Sequence, residues 1–592
     1  MLAIIRDTPL GQLVRFVTRN RVLQYLEEKA DFRLPDEWLS HKAEYPHPST
    51  CPSDASTLCI NDEKVQIGKG DKISSSPRVV SLAGTESPAE TLSSEKHNVR
   101  DDIEQAIEKV KSMPIVPRRT TEGIILVDWY STDDPENPRN WTNLRRIFVS
   151  LIICFYTFVV YTSSAIYINS ESGLVKEFGV NATEASLGLA LYVLGYGVGP
   201  LLWSPLSELP SVGRNPVYFW SMLAFVIISI PTALVTNYPG LMALRFLQGF
   251  FGSPCLANGG ASLGDLYNDL HLPYALIAWV SASYCGPALG PLLSGFSVPV
   301  LGWRWSLLEI LFAGSAIFPV MFAFLPETSP ATLLLQRAQR LRKATGNPAF
   351  MSQSEIDQQG MSNGAVFIDA LIKPLEITVK DPAILFVQMY TAVVYATYYS
   401  FFESFELVYQ VYYEMTPGQI GLVFLSILVA CLLGAVIYAS YIHFYMNPRI
   451  RAVGEPVPET RLVPALAAAF GPTLGLFVFA WTARPDIHWV APTAGIALYG
   501  ATVFVVFQCI FVYVALSYPK YAASLFAGND FFRSTLAFAA VLFAPPMFED
   551  LGVARGNSLL GGLSVVGVIG IWTLYIFGAR LRSMSKFAIS GE

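Results

Sequence analysis

Charge is what this sequence has least of. Only 15% of its 592 residues are Asp, Glu, Lys or Arg, where a soluble globular chain carries roughly a quarter. With 52% hydrophobic residues and a mean hydropathy of +0.42, the chain reads as a membrane protein. Its formal charge of -6 argues against nucleic acid as a main partner, because a phosphate backbone is bound by a positive surface. Metal chemistry lacks its residues too. The seven cysteines show no ligand spacing, and Cys154, Cys285, Cys431 and Cys509 lie in apolar runs, where a thiol serves as a small hydrophobe. Neither a His/Asp cluster nor a haem-like ligand pair nor a filter-like carbonyl sequence supports a membrane enzyme or a channel. The Gly-rich stretch GYGVGP at 195–200 lies inside an apolar run with no Lys after it, so it cannot cradle phosphate, and pumping by ATP hydrolysis on this chain is excluded. A long signal-peptide core is missing as well. Asp7 and Pro9 interrupt the first apolar residues, leaving the first true span as the insertion signal.

What the chain has is long apolar runs. Six lie at about 147–168, 185–206, 217–235, 241–263, 274–300 and 306–325, and six more at 383–413, 420–444, 462–483, 491–516, 521–546 and 559–577. Each reaches about the roughly 20 residues that a helix needs to cross a bilayer, and the seventh exceeds it. The fold expected is an all-α membrane protein of twelve transmembrane helices in two six-helix halves, with no enzyme activity. Its parts are a largely disordered cytoplasmic tail over 1–140, the first half over 141–325, a cytoplasmic linker over 326–382, the second half over 383–579 and a short tail over 580–592. In the first tail, Leu10, Leu13, Val14 and Val17 fall on one helical face, residues 41–103 read as disordered, and 127–141 reads as an interfacial lead-in. The linker opens on an amphipathic basic helix with Leu334, Leu335, Ala338 and Leu341 on its apolar side, suited to the inner membrane surface or to the bundle. Its Arg337, Arg340, Arg342 and Lys343 share one side of the membrane with most other loop arginines and lysines, while the opposite loops keep only Lys176, Arg304, Arg484 and Arg555. Positive charge collects inside, so both termini are expected in the cytoplasm, and the Asn181 sequon then faces out as a glycosylation site.

Within the runs a few residues carry chemistry. Gly286-Pro287 and Gly290-Pro291 stand four apart in the fifth run, which puts both glycines on one face, open to another helix, while the prolines remove two amide donors. The seam they form is expected against the second span or between the halves. Arg245 stands in an otherwise apolar run, where an unpaired charge is costly, and Gln248 shares its face. Glu309, Glu403 and Glu406 are the candidate proton carriers; the last two alternatively lie at the outer mouth, since the seventh run is longer than one crossing. Asp530 and Arg533, spaced by three, read as an internal pair holding the eleventh helix. Glu208 and Arg214 share a short loop where a charged pair can latch a gate or remain a solvated pair. Aromatic residues crowd the seventh and tenth runs, and Tyr398, Phe402, Tyr409, Phe507, Gln508 and Phe511 are the candidate cargo residues; flat faces suit many ligands, though most aromatics in any bundle simply pack it.

Taken in order, Pro205-Leu-Ser-Glu208, Gly213-Arg214-Asn215-Pro216, Arg245-Phe-Leu-Gln-Gly249 and Gly286-Pro-Ala-Leu-Gly290-Pro291 resemble the motifs of the major facilitator superfamily. More narrowly they are similar to the fungal twelve-span drug:proton antiporters, the multidrug and polyamine exporters, over about 128–586. The resemblance implies the major facilitator fold, proton coupling through Arg245, and a Gly-Pro motif that marks export. Asn215 stands where the family usually has Arg or Lys, and Asp265 to His271 where it usually has a basic residue, both implying a weaker cytoplasmic charge relay. The expected function is proton-coupled export of hydrophobic or cationic drugs across the plasma membrane, by a monomer in contact with lipid and with no cofactor beyond the proton gradient. The alternatives are a dedicated exporter of one endogenous solute such as a polyamine or secondary metabolite, a proton-coupled importer, and a non-transporting sensor.

Overall fold

The computed structural model describes residues 5–35, 38, 113–120, 123–358, 363–453, 457–518 and 522–584; the side chains of 363–367, 369, 370, 373, 374, 402 and 406 are outside the description. The expected disorder over 41–103 therefore falls outside the described residues. Two compact units are present, one of residues 33–134 and one of residues 1–32 with 135–592. In the smaller, the Trp38 indole donates to the Ile115 carbonyl at 3.0 Å and packs on the Tyr130 ring.

The larger unit is helical. Its elements include α1 (Pro9–Val17), α2 (Asn143–Ala165), α3 (Ala182–Glu208), α4 (Arg214–Leu234), α5 (Tyr238–Gly252), α6 (Pro254–Leu266), α7 (Leu272–Leu301), α8 (Arg304–Phe324), α9 (Pro330–Thr345), α10 (Pro382–Phe405), α11 (Pro417–Tyr441), α12 (Phe470–Thr482), α13 (Val490–Ser517) and α14 (Ala522–Ser583), with further helices between some of them. Among the described residues nine helical stretches are long and apolar enough to cross a membrane. Three places differ from the runs read in the sequence. The fourth run is two helices meeting at Ser253, because Pro254 begins a new first turn. The seventh run is helical to Phe405 and then widens into a π-helical turn over Glu406–Tyr412, which absorbs its extra length. The eleventh and twelfth runs are one 62-residue helical stretch, divided where Gly552 takes φ +76, a conformation a Cβ disfavours.

The Gly-Pro stretch is packed as its spacing demands, its glycine pair on a helix other than the expected second span and its far end on a helix that follows the linker, the other expected place. A Cβ on Gly286 would lie 2.7 Å from the Thr162 amide nitrogen and one on Gly290 2.8 Å from that of Ile166, so the glycine face of α7 lies on α2, the first long helix, and not on the second. One turn further, Gly295 meets the backbone of Pro417, while Gly421 meets Leu292. Helix α7 thus has two seams, one with α2 and one with α11, which follows the linker.

Helix α9 lies on protein, the second of its two expected places. Leu335, Ala338 and Leu341 of the expected face are buried, Leu333 is buried where Leu334 was expected and Leu334 is half-buried, and Arg337 is buried too, pairing with Glu27 at 3.5 Å and Glu136 at 2.9 Å; Arg340 meets the same two carboxylates. Trp141, the last residue of the lead-in, is buried beneath the Arg145 guanidinium at 3.6 Å.

Candidate functional site

Two groups of helices, one before the linker and one after it, meet at a buried cluster of tyrosines. Tyr161 comes from α2 and Tyr196 from α3, Tyr395 and Tyr399 come from α10, and Asp530 and Arg533 lie one turn apart on α14. The Tyr196 hydroxyl meets those of Tyr395 and Tyr399 at 2.6 and 2.9 Å. Arg533 pairs with Asp530 at 2.5 Å, donates to the Tyr161 hydroxyl, and sits 4.7 Å over the Tyr395 ring. Asp530 Oδ2 is buried without a hydrogen-bond partner. An ion pair this far from water is costly to assemble and strongly destabilising to split, so the cluster is a place where changes of charge are felt.

Beside it lies a cavity of about 20 Å³, room for about one water. Tyr284 and Pro287 of α7, Tyr398 of α10, Phe507 of α13 and Arg533 of α14 are among its walls. The stretch with the two Gly-Pro pairs therefore turns its glycines to α2 and Tyr284 and Pro287 to the cavity. At this volume the cavity has no room for a molecule larger than water.

Arg245 is fully buried one layer away. Its guanidinium donates to Gln248 Oε1 at 2.9 Å and to the carbonyls of Ser163 and Gly188, and lies 4.5 Å over Tyr192 and 4.7 Å over Tyr167. Gln248 in turn donates to Ser229 at 2.7 Å. Carbonyl dipoles and ring faces do here what a carboxylate would do elsewhere. The Tyr192 ring packs edge-on against Tyr196, so Arg245 is in contact, ring by ring, with the central cluster.

The end of the bundle that carries Glu208 is wired differently from the sequence expectation. Arg214 pairs with Asp265 of α6 at 2.6 Å, while Glu208 accepts from Ser524 of α14 at 2.9 Å, a bond between the two helix groups. The latch read as Glu208 with Arg214 is corrected: the fold carries Arg214 to α6. Asp265, in the stretch where a basic residue is usual, is the acid that Arg214 meets. Asn215 is also used, its side chain donating to the Leu325 carbonyl. Glu327 caps the start of α4, its carboxylate accepting from the amides of Arg214, Asn215, Thr328 and Ser329; burial holds this carboxyl above the usual carboxylate range, against the opposing pull of the amides. A Cβ on Gly213, already at φ +83, would strike that carboxylate at 2.4 Å. A vestibule of about 660 Å³ opens here, with Glu208, Arg214 and Asp265 on one side and Leu516 and Phe526 on the other. Asp265→Ala is expected to lower the stability of the purified protein by about 3 kcal/mol, by leaving Arg214 without its acid. Thermal unfolding in detergent checks this, and the exchanged pair Arg214→Asp with Asp265→Arg is expected to recover more than half of the loss.

Residues 153–541 match the Major Facilitator Superfamily. This chain belongs to the major facilitator superfamily. It is 51% identical over 472 residues to the MFS-type transporter pyvG of Aspergillus violaceofuscus, covering 80% of this chain and 87% of that protein. It is 32% identical to the cycloheximide resistance protein of Candida maltosa over 99% of this chain and 100% of that one, and 36% identical to fluconazole resistance protein 1 of Saccharomyces cerevisiae over 78% and 84%. Among solved structures the proton:xylose symporter XylE shares the fold, with TM-score 0.54 and 12% identity over 74% of this chain and 96% of that one. Membership places the chain among multi-pass transport proteins and not among enzymes.

On this major facilitator framework the candidate residues separate. Tyr398 and Phe507 line the central cavity. Three others pack the bundle instead: Tyr409 is buried with its hydroxyl on Thr493 at 2.9 Å, Gln508 donates to the Leu276 carbonyl, and Phe511 stacks among Trp279, Phe507 and Phe526. The side chains of Phe402 and Glu406 lie outside the described residues. Glu403 is half-buried one turn beyond Tyr399, and Glu309 is half-buried in α8; neither lines the cavity. Asn181 is exposed and caps α3, accepting from the Glu184 amide at 2.7 Å. What sequence reasoning missed is the meeting of Asp530 and Arg533 with tyrosines from three other helices. A signal was there, because two ionisable residues in an apolar helix mark function by default. Tyr161 and Tyr196 gave none, being two tyrosines among 28.

Proposed function

We propose that this transporter is a proton-coupled exporter of hydrophobic or cationic drug-like compounds at the plasma membrane, working by alternating access. The observation that carries the reading is the Asp530–Arg533 pair at a closed aromatic cavity between the two helix groups. Asp530 is the proton carrier: with the groups closed its charge is held by Arg533, and when they part, water reaches the carboxyl and a proton can join or leave it. Cargo held on Tyr284, Tyr398 and Phe507 competes with that closed state, so each species favours the arrangement the other has left. Arg245 positions the tyrosine layer that joins the groups.

Twelve crossings complete the picture. The nine long stretches gain one when α14 is divided at Gly552, one from α5 with α6 taken together, and one from tyrosine-rich α10. Six precede the linker and six follow it, with both termini in the cytoplasm, the Glu208 end inward and Asn181 outward. Relatives named for resistance to cycloheximide and fluconazole support drug export over a dedicated single-solute exporter, import or sensing.

The experiment is flux of a fluorescent lipophilic cation in proteoliposomes with an imposed pH gradient. Movement of the cation against its own gradient, lost when the proton gradient is collapsed, is the expected result. A folded protein that moves the cation only down its gradient, indifferent to pH, would overturn proton-coupled export.

A further inference from the structure

We infer that the N-terminal segment is a membrane-docking element whose partner is a leaflet of anionic lipid. Helix α1 begins on an ordinary cap, with the Thr8 hydroxyl accepting from the Gly11 amide and Pro9 in the first turn. It ends sharply: Arg19, Asn20 and Leu23 all take left-handed φ, and Arg15 holds the reversal by donating to the Leu23 carbonyl at 2.7 Å and pairing with Glu28. One side of the segment is fastened to the helical unit. Tyr25 lies between the guanidinium groups of Arg6 and Arg340 at 4.0 and 3.8 Å and donates to Asp7, Glu27 takes Arg337 and Arg340, and the Glu327 amide donates to the Asp7 carbonyl.

The other side is bare and apolar. Phe16 is 82% exposed and Val17 72%, with Leu13, Val22 and Leu26 near half. Among the described residues from 5 to 32, Arg19, Arg21 and Lys29 are exposed beside them, against one exposed acid, Asp31. Apolar residues rimmed by positive charge fit the boundary between acyl chains and anionic headgroups. The surface continues into exposed apolar residues of the long helices. Leu13 and the 62%-exposed Trp220 of α4 frame one pocket of about 620 Å³, with Phe322 of α8 on its wall, and Leu144, Ile147 and Phe148 are exposed at the start of α2. The linker helix, which lies on the bundle, spends Arg337 and Arg340 on holding this segment in place, and α1 meets the lipid.

The test uses the full-length protein with benzoylphenylalanine in place of Phe16, reconstituted into symmetric liposomes of phosphatidylcholine with or without phosphatidylserine, illuminated and read by mass spectrometry. The same replacement at Trp220 is the lipid-facing control. Lipid adducts at position 16 are expected, about threefold more abundant with phosphatidylserine, and Arg19→Glu with Arg21→Glu is expected to erase that difference while leaving adducts at 220. Three results overturn the inference: no lipid adduct at 16 while 220 labels, crosslinks to a second copy or another part of the protein, or equal yields in the two membranes. Symmetric liposomes and the lack of a flux measurement make the result independent of orientation, cargo and coupling.

Discussion

In the Asp530→Asn variant, pH-driven transport is expected to fall to the level of empty liposomes. Two effects contribute and they can be separated. The first is structural: Asn leaves Arg533 as a buried cation with only tyrosine hydroxyls and a ring face, at a stability loss of about 3–5 kcal/mol, read as a lower unfolding temperature. The second is chemical, since an amide cannot carry a proton between states. The neutral pair Asp530→Asn with Arg533→Gln is expected to regain most of the stability, because no uncompensated charge is left, yet to move no cargo in response to a pH gradient. Should the neutral pair regain pH-driven transport along with stability, the pair merely holds α14, and Glu403, one turn beyond Tyr399, becomes the carboxylate to test.

Gly290→Leu is expected to have the other large effect, and on folding first. The Cβ it adds would stand 2.8 Å from the Ile166 amide nitrogen and 3.1 Å from the Thr162 carbonyl oxygen, which are backbone atoms of α2 and cannot swing aside as a side chain would. The helices must separate along their length, at a loss on the order of 3 kcal/mol or more, and the yield of monodisperse protein in detergent is expected to drop with it. Gly562→Ala is the control. Its Cβ meets nothing within 4 Å, so stability is expected to hold or rise slightly. Gly421→Ala probes the second seam of α7, with α11; its Cβ would lie 2.8 Å from Leu292 Cα. Because that seam joins helices from either side of the linker, the folded protein is expected to survive while closure, and with it transport, slows. A Gly290→Leu protein as stable as the parent would mean that the α2–α7 contact is not a close packing at all.

Much of this molecule was legible in its residues, for reasons that differ from part to part. Apolar runs of bilayer length announce themselves, since no soluble fold tolerates so many. The four-residue spacing of Gly286 and Gly290 fixes a close-packed face whatever lies against it. The solitary Arg245 in an apolar run had to find polar company, and Gln248, one turn away, is part of it. The amphipathic pattern of the linker helix left two places open, the membrane surface or the bundle, and there the reading stopped short: composition cannot say which carboxylates Arg337 and Arg340 will meet when Glu27 and Glu136 are far off in the chain.

The sequence by itself determined the class of protein, the faces of its helices and the family, because hydropathy, helical periodicity and motif order are local properties. Only the tertiary structure decided which faces meet. It put α2 and not α3 on the glycines of α7, gave Arg214 to Asp265 and Glu208 to Ser524, and brought Tyr161, Tyr196, Tyr395, Tyr399, Asp530 and Arg533 to one point. The physical reason is that lipid is as apolar as leucine, so hydrophobicity places a helix in the membrane without choosing its neighbour. That choice falls to shape and to a few polar groups with no water to turn to, and their partners lie hundreds of residues apart.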